Sequence, residues 1–227
     1  MKNGTSLAGL LRLADSAFPS GAFSQSFGLE SAVAAERVHD ESTLYAWLEG
    51  YLVDGWSTLD GAALVLAIRD GFAARELDAI VTAATHAGEC RRANARMTGA
   101  ILDAFAAMGL GGARLDAYAA DVRTALARGV PALAFGLAYE ELGIDWRDAF
   151  VACASATLTS LAAAGTRAIP LGQRATARVL WMLRDATARA LAEAERVVEP
   201  ADLAAQALAQ EVDALTHRSL DGRLFAS

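Results

Sequence analysis

Lysine is almost missing from this sequence: Lys2 is the only one among 227 residues, and every other cationic side chain of fixed charge is arginine. Without a second lysine there is no G-x-x-x-x-G-K-S/T phosphate loop, which excludes a nucleoside triphosphatase of that class. The two cysteines, Cys90 and Cys153, form no C-x-x-C pair and no disulfide framework, so they read as reduced thiols of a cytoplasmic protein. No H-E-x-x-H and no G-x-S-x-G elbow occurs, which removes the common zinc and hydrolase signatures. Long apolar runs are scarce too. Mean hydropathy is +0.28, but alanine supplies much of it, and Arg, Asp or Glu interrupts each run before the ~18 residues of a spanning helix. The opening residues, Lys2 to Ser6, lead into no apolar core with a small-residue cleavage site, so no signal peptide is expected. Basic excess is also absent. A net charge of -7 and a pI near 5.0 argue against a nucleic-acid partner.

What is present is helix-period patterning from one end to the other. Leu44, Trp47, Leu48, Tyr51 and Leu52 fall at i, i+3, i+4, i+7 and i+8, the stripe of an amphipathic helix that Asp40, Ser42 or Thr43 can cap. Similar segments run over 58–68, 75–87 and 90–108, broken at Gly71 and Gly88. Gly109, Gly111 and Gly112 mark an interhelical turn rather than a domain boundary, because neither half looks self-sufficient. Pro131 and Pro170 stand where further helices open. Asp145 caps a small-residue helix from Trp146 to about Ala164, expected to be central and buried. A long helix follows from Gly172 to about Val197, and another is expected from Pro200 to about Leu215. The expected fold is all-α: one domain over 1–227, a helical bundle of roughly ten helices. A chain of this length buries on the order of 70% of its unfolded surface and needs neither disulfide nor metal to fold. The last dozen residues, 216–227, lack periodicity and read as a flexible C-terminal tail, loosely ordered unless a partner holds it.

Chemistry is thin along this chain. His86, Glu89 and Cys90 have a metal-like spacing, yet Gly88 interrupts the helix that would align them, so a surface or core role is favoured over a ligand set for His86 and Cys90. His39 and His217 each stand alone and read as solvated or hydrogen-bonded structural residues. Two stretches are less ordinary. Phe18 to Glu30 reads F-P-S-G-A-F-S-Q-S-F-G-L-E, either a turn with an N-cap or an exposed aromatic and hydroxyl surface for a partner. Ala164 to Gln173 reads A-G-T-R-A-I-P-L-G-Q, either a plain connection or a helix start that, with Arg167 and Gln173, holds an anion or a partner's carboxylate.

At these stretches the sequence resembles the UreF family. That family's pattern G-(G/A)-(Y/F)-(S/T)-x-S-x-G-L-E stands here as Gly21 to Glu30, its P-(F/L)-G-Q as Pro170 to Gln173, and its R-L-F-x-S ending as Arg223 to Ser227. Arg167 occupies a position where some relatives have lysine, and Phe23 lacks the hydroxyl of the tyrosine often found there. The resemblance implies a non-catalytic urease maturation factor with no cofactor of its own. It further implies a homodimer that joins UreD (UreH) and the GTPase UreG to load nickel into the urease apoenzyme, with an effect on UreG's GTP hydrolysis as one proposed role. By this analogy Arg223, Leu224 and Phe225 contact UreD and become ordered there. Phe23, Ser24, Ser26, Phe27, Glu30, Arg167 and Gln173 lie near partner contacts. The rival readings are a regulator that lends Arg167 or Gln173 to UreG in trans, and an unrelated helical ligand-binding or metal-carrying domain.

Overall fold

The computed structural model describes residues 4–227, which leaves Lys2 outside the described residues. They form ten helices and no strand. In chain order these are α1 (Gly4–Leu13), α2 (Leu29–Ala34), α3 (Glu41–Arg69), α4 (Ala74–Ala84), α5 (Gly88–Ala107), α6 (Ala113–Arg123), α7 (Pro131–Glu141), α8 (Trp146–Ala168), α9 (Gln173–Arg196) and α10 (Leu208–Thr216). The all-α single-domain bundle expected from periodicity is the fold observed.

Local chemistry sets the helix starts. At α3, Asp40 accepts from the Thr43 N–H at 2.8 Å while the Thr43 hydroxyl faces the Asp40 N–H at 3.0 Å, a reciprocal cap. Asp145 caps α8 by accepting from the Arg147 N–H at 2.9 Å. Pro131 opens α7, whereas Pro170 stays in the loop before α9, which starts at Gln173.

The core gathers around α3, α7, α8 and α9. Leu44, Leu48 and Leu52 are fully buried, as is the all-round apolar run Ala62 to Ala67, and each such leucine contributes roughly 1.5–3 kcal/mol by burial. Small residues let α3 and α8 touch: a Cβ placed on Gly61 would come within 2.6 Å of the Phe150 ring. By length and composition α3 and α8 are apolar enough to cross a membrane, longer than the sequence breaks suggested, but most of each apolar window is packed inside the bundle.

Two sequence expectations are corrected. The Leu44 to Leu52 stripe and the segment over 58–68 are not separate helices: α3 is continuous and widens into an 11-residue π-helical stretch over Tyr51–Gly61. Nor does one helix span Pro200 to Leu215: a 3₁₀ turn at Pro200–Asp202 gives way to extended chain before α10. The second has its cause in the π stretch. The carbonyls of Asp54 and Thr58 accept from Gln206 N–H at 2.9 Å and Ala204 N–H at 3.3 Å. The extended segment therefore satisfies its own donors along the π stretch and cannot also be helical.

Candidate functional site: the N-terminal loop clasped by the chain end

The two motifs nearest the ends of the chain meet in space. Gly21, at φ 74°, turns the chain into a short 3₁₀ segment, Ala22–Ser24, and Gly28, at φ 94°, turns it again into α2. Between them Phe27 holds a positive φ of 49°, a conformation that costs a non-glycine residue about 1–3 kcal/mol. The last residues lie across this loop. Ala226 N–H donates to the Ser24 carbonyl at 2.8 Å, and the Ser227 carbonyl accepts from Ser26 N–H at 2.8 Å and Phe27 N–H at 3.1 Å. The Ser227 hydroxyl meets the Gln25 side-chain carbonyl at 2.9 Å.

Beneath that pairing lies a chain of charges. Glu30 accepts from the Leu224 N–H at 2.6 Å, the Phe225 N–H at 3.1 Å and His217 Nε2 at 2.9 Å. On its other nitrogen, at 2.8 Å, His217 meets Glu89, which also holds Arg223 at 2.7 Å. His217 is 0% exposed. The buried imidazole thus bridges two acidic side chains, one on each ring nitrogen. Burial raises the Glu89 pKa, but hydrogen bonds and charge from His217 and Arg223 outweigh it and hold Glu89 below its ordinary value. The stabilisation this depression provides is present above the unfolded-state carboxylate range and is lost as pH falls through the folded value. Acid should therefore loosen this end of the chain: tryptic-site exposure at Arg218 and Arg223, read by amide exchange at pH 3 against pH 6, is expected to increase.

Arg167, near the end of α8, ties the surface together. Its guanidinium lies over the Phe23 ring at 3.9 Å and the Phe225 ring at 4.5 Å, and it donates to the Phe23 carbonyl at 2.6 Å. Burial lowers its pKa from the ordinary arginine value. Phe225 is buried beneath this stack, whereas Phe23 and Leu224 stand 73% and 67% exposed. The launching helix is fixed as well: Asp213 on α10 is fully buried, accepts from Trp47 Nε1 at 2.9 Å and pairs with Arg37.

Residues 216–227, expected from sequence to be a tail ordered on partner binding, here lie against the body of the same chain. These residues have the partners that periodicity could not reveal, because their bonds run to Ser24, Ser26, Phe27, Glu30 and Glu89 rather than within an element. Of the residues singled out from sequence, Phe23, Ser24, Ser26, Phe27, Glu30, Arg167, Arg223, Leu224 and Phe225 come together. Gln173 does not join them: it is the exposed first residue of α9, and no hydrogen bond links it to the cluster among the described residues. His86 and Cys90 also separate. His86 lies in the loop before α5 and bonds Glu211 at 3.1 Å, while Cys90 is buried on α5 with its thiol pushed up to about 12 by burial. Among the described residues no group of three His, Cys, Asp or Glu side chains converges as a metal site. Sequence reasoning missed the bridging role of His217, whose partner Glu30 is 187 residues away. The one available signal was the acidic residue that closes the G-L-E motif.

Comparison with known proteins identifies the family of the chain. The UreF family model matches residues 38–184. The chain is 36% identical over 223 residues to the urease accessory protein UreF of Paenarthrobacter aurescens, covering 96% of both chains. It is 33% identical to the corresponding protein of Arthrobacter sp. over 218 residues, again 96% of both, and 34% identical to that of Ralstonia pickettii, with both chains covered in full. The loop and the chain end lie outside the span of the family model but inside the alignment to the Ralstonia pickettii protein, which covers both chains in full, and on both counts the chain belongs to the UreF family.

Proposed function

We propose that this chain is a non-catalytic binding protein of urease maturation, and that the surface built by Phe23, Arg167, Phe225 and Leu224 is where a partner docks. The observation that carries this reading is the exposure of Phe23 and Leu224 on a rigid, hydrogen-bonded platform. Exposed aromatic and apolar side chains around a fixed arginine are the composition of an interface core, and such a platform binds without first being ordered. Leu208, Val212 and Leu215 form a further exposed apolar stripe on α10, at i, i+4 and i+7.

By the family resemblance the partners are UreD (UreH) and the GTPase UreG, acting on the urease apoenzyme during nickel loading, with the chain itself a cytoplasmic homodimer. Nickel is cargo in this scheme. An Arg167 lent to UreG as a finger is the lesser reading, because its guanidinium is already held between two rings and a carbonyl.

The test is co-purification with UreD and UreG from cells expressing the accessory proteins. The Phe23→Ala, Leu224→Ala double variant removes two exposed side chains and should keep its thermal midpoint while capturing partner at least about tenfold more weakly, the effect of a hot-spot pair. Full capture by a folded double variant would show that the partner docks elsewhere.

A further inference from the structure

A cavity of about 450 Å³ opens beside the loop, within the ~300–1,000 Å³ range of small-molecule sites. Its body is aromatic: Phe18, Tyr51, Trp56, Phe135 and Tyr139 line it, and Phe18 meets Phe135 edge-on at 5.4 Å. Its charge has one sign. Asp60 and Glu211 face the interior with Asp15 among the lining residues, and no arginine, lysine or histidine lines it among the described residues.

The wall that carries Asp60 is the π-helical stretch, which also supplies Tyr51, Gly55, Trp56 and Leu59 to the lining. π-Helical turns are uncommon and recur at functional sites because they re-aim side chains that a regular helix would point elsewhere. Asp60 has neither an ion pair nor a side-chain hydrogen-bond partner among the described residues, only its own backbone N–H. A carboxylate kept in such surroundings without a cation is a cost that a ligand's positive charge would remove. The aromatic faces around it are the electron-rich surfaces that attract organic cations. A divalent metal fits poorly, since no three protein ligands converge.

We propose that this cavity binds a small organic cation, an ammonium carried on an apolar alkyl or aryl body, with Asp60 as its counter-ion. This goes beyond partner docking and stands whether or not that reading holds. Because Gly21 and Phe23 also line the cavity, an occupant would touch the underside of the exposed loop.

Burial foremost, then repulsion from Glu211, raises Asp60 to about 7 against the opposing hydrogen bond from its own N–H. The other titratable groups around it are Tyr51 on α3, Cys90 on α5 and Glu211 on α10, with Arg91 near Cys90. Burial raises both the Tyr51 hydroxyl and the Cys90 thiol, which keeps them neutral near pH 7. Below pH 7 a cation must displace the Asp60 proton, so its affinity should fall by up to about tenfold per pH unit, whereas a neutral ligand's should not.

The test titrates the purified full chain with 2-phenylethylammonium and its neutral isostere 2-phenylethanol, by calorimetry or amide NMR, from pH 5.5 to 8.5. At pH 8 the ammonium should bind at least about tenfold more tightly than the alcohol, on the order of what one buried charge contributes. That preference should shrink below pH 7 and vanish in Asp60→Asn. Equal binding of the two probes, binding of neither, a pH-independent preference, or a preference retained in folded Asp60→Asn would each overturn the proposal. The pH profile of the unaltered chain decides the matter even if the variant fails to fold.

Discussion

Replacing Glu30 by alanine should release the chain end and lower the thermal midpoint on the order of 10 °C. That carboxylate is nearly buried and accepts from two backbone N–H groups, of Leu224 and Phe225, and from His217. Removing one partner of a buried charge pair costs about 3–5 kcal/mol, because the groups left behind have no water to turn to. In a chain of this size each kcal/mol moves the midpoint by roughly 2–4 °C. Calorimetry reads the stability, and trypsin reads the release, since Arg218 and Arg223 lie within the clasped segment. Glu30→Gln keeps an acceptor but loses the charge facing His217, so it should fall between the two. An unchanged midpoint and tryptic half-life in Glu30→Ala would mean that the pairing with Ser24, Ser26 and Phe27 alone holds the end in place.

Gly28→Ala is expected to destabilise by roughly 3 kcal/mol or more, through strain and collision together. Its φ of 94° belongs to glycine, and an added Cβ would lie 2.6 Å from the Ala214 nitrogen and 3.0 Å from the Ala214 Cα, both backbone of α10. Backbone cannot rotate aside as a side chain can. The helix must retreat, and it carries the buried Asp213 that binds Trp47 and Arg37. Gly71→Ala separates the two contributions: φ there is also positive, at 76°, but nothing lies within 4 Å of the added carbon. That variant should lose only the conformational part, about 1–2 kcal/mol. Chemical denaturation of both variants gives the comparison, and equal losses would remove the close approach of α10 as a cause.

Much of the fold was legible because helices announce themselves locally. The stripe of Leu44, Trp47, Leu48 and Leu52, the cap at Asp40 and the glycines after Ala107 each act within a few residues, and each lies where periodicity put it. The errors share a different origin. The extended run before α10 exists because carbonyls of Asp54 and Thr58, about 150 residues earlier, accept its N–H groups, and no local propensity encodes that. The chain end looked loose for the same reason, its partners being Ser24, Glu30 and Glu89. Within the site, Phe23, Arg167 and Phe225 were legible through motif resemblance and not through physics, since a cation shared by two rings 202 residues apart in sequence leaves no periodic trace. Gln173 was grouped with Arg167 because the two are close in sequence, and the turn at Ile169 to Gly172 parts them.

The π-helical stretch of α3 also bears on how the chain tolerates change in length. In a regular helix each residue advances the face by about 100°, so a single deletion swings everything beyond it off the core. Between Tyr51 and Gly61 the ladder already spans more residues per turn than it needs. A chain one residue shorter there could tighten to α and return Ala62 to Ala67 toward their packed orientation, while the same deletion near Leu48 would not be absorbed. The stretch is thus a reserve of register within the longest helix, and drawing on it would narrow the wall that presents Asp60.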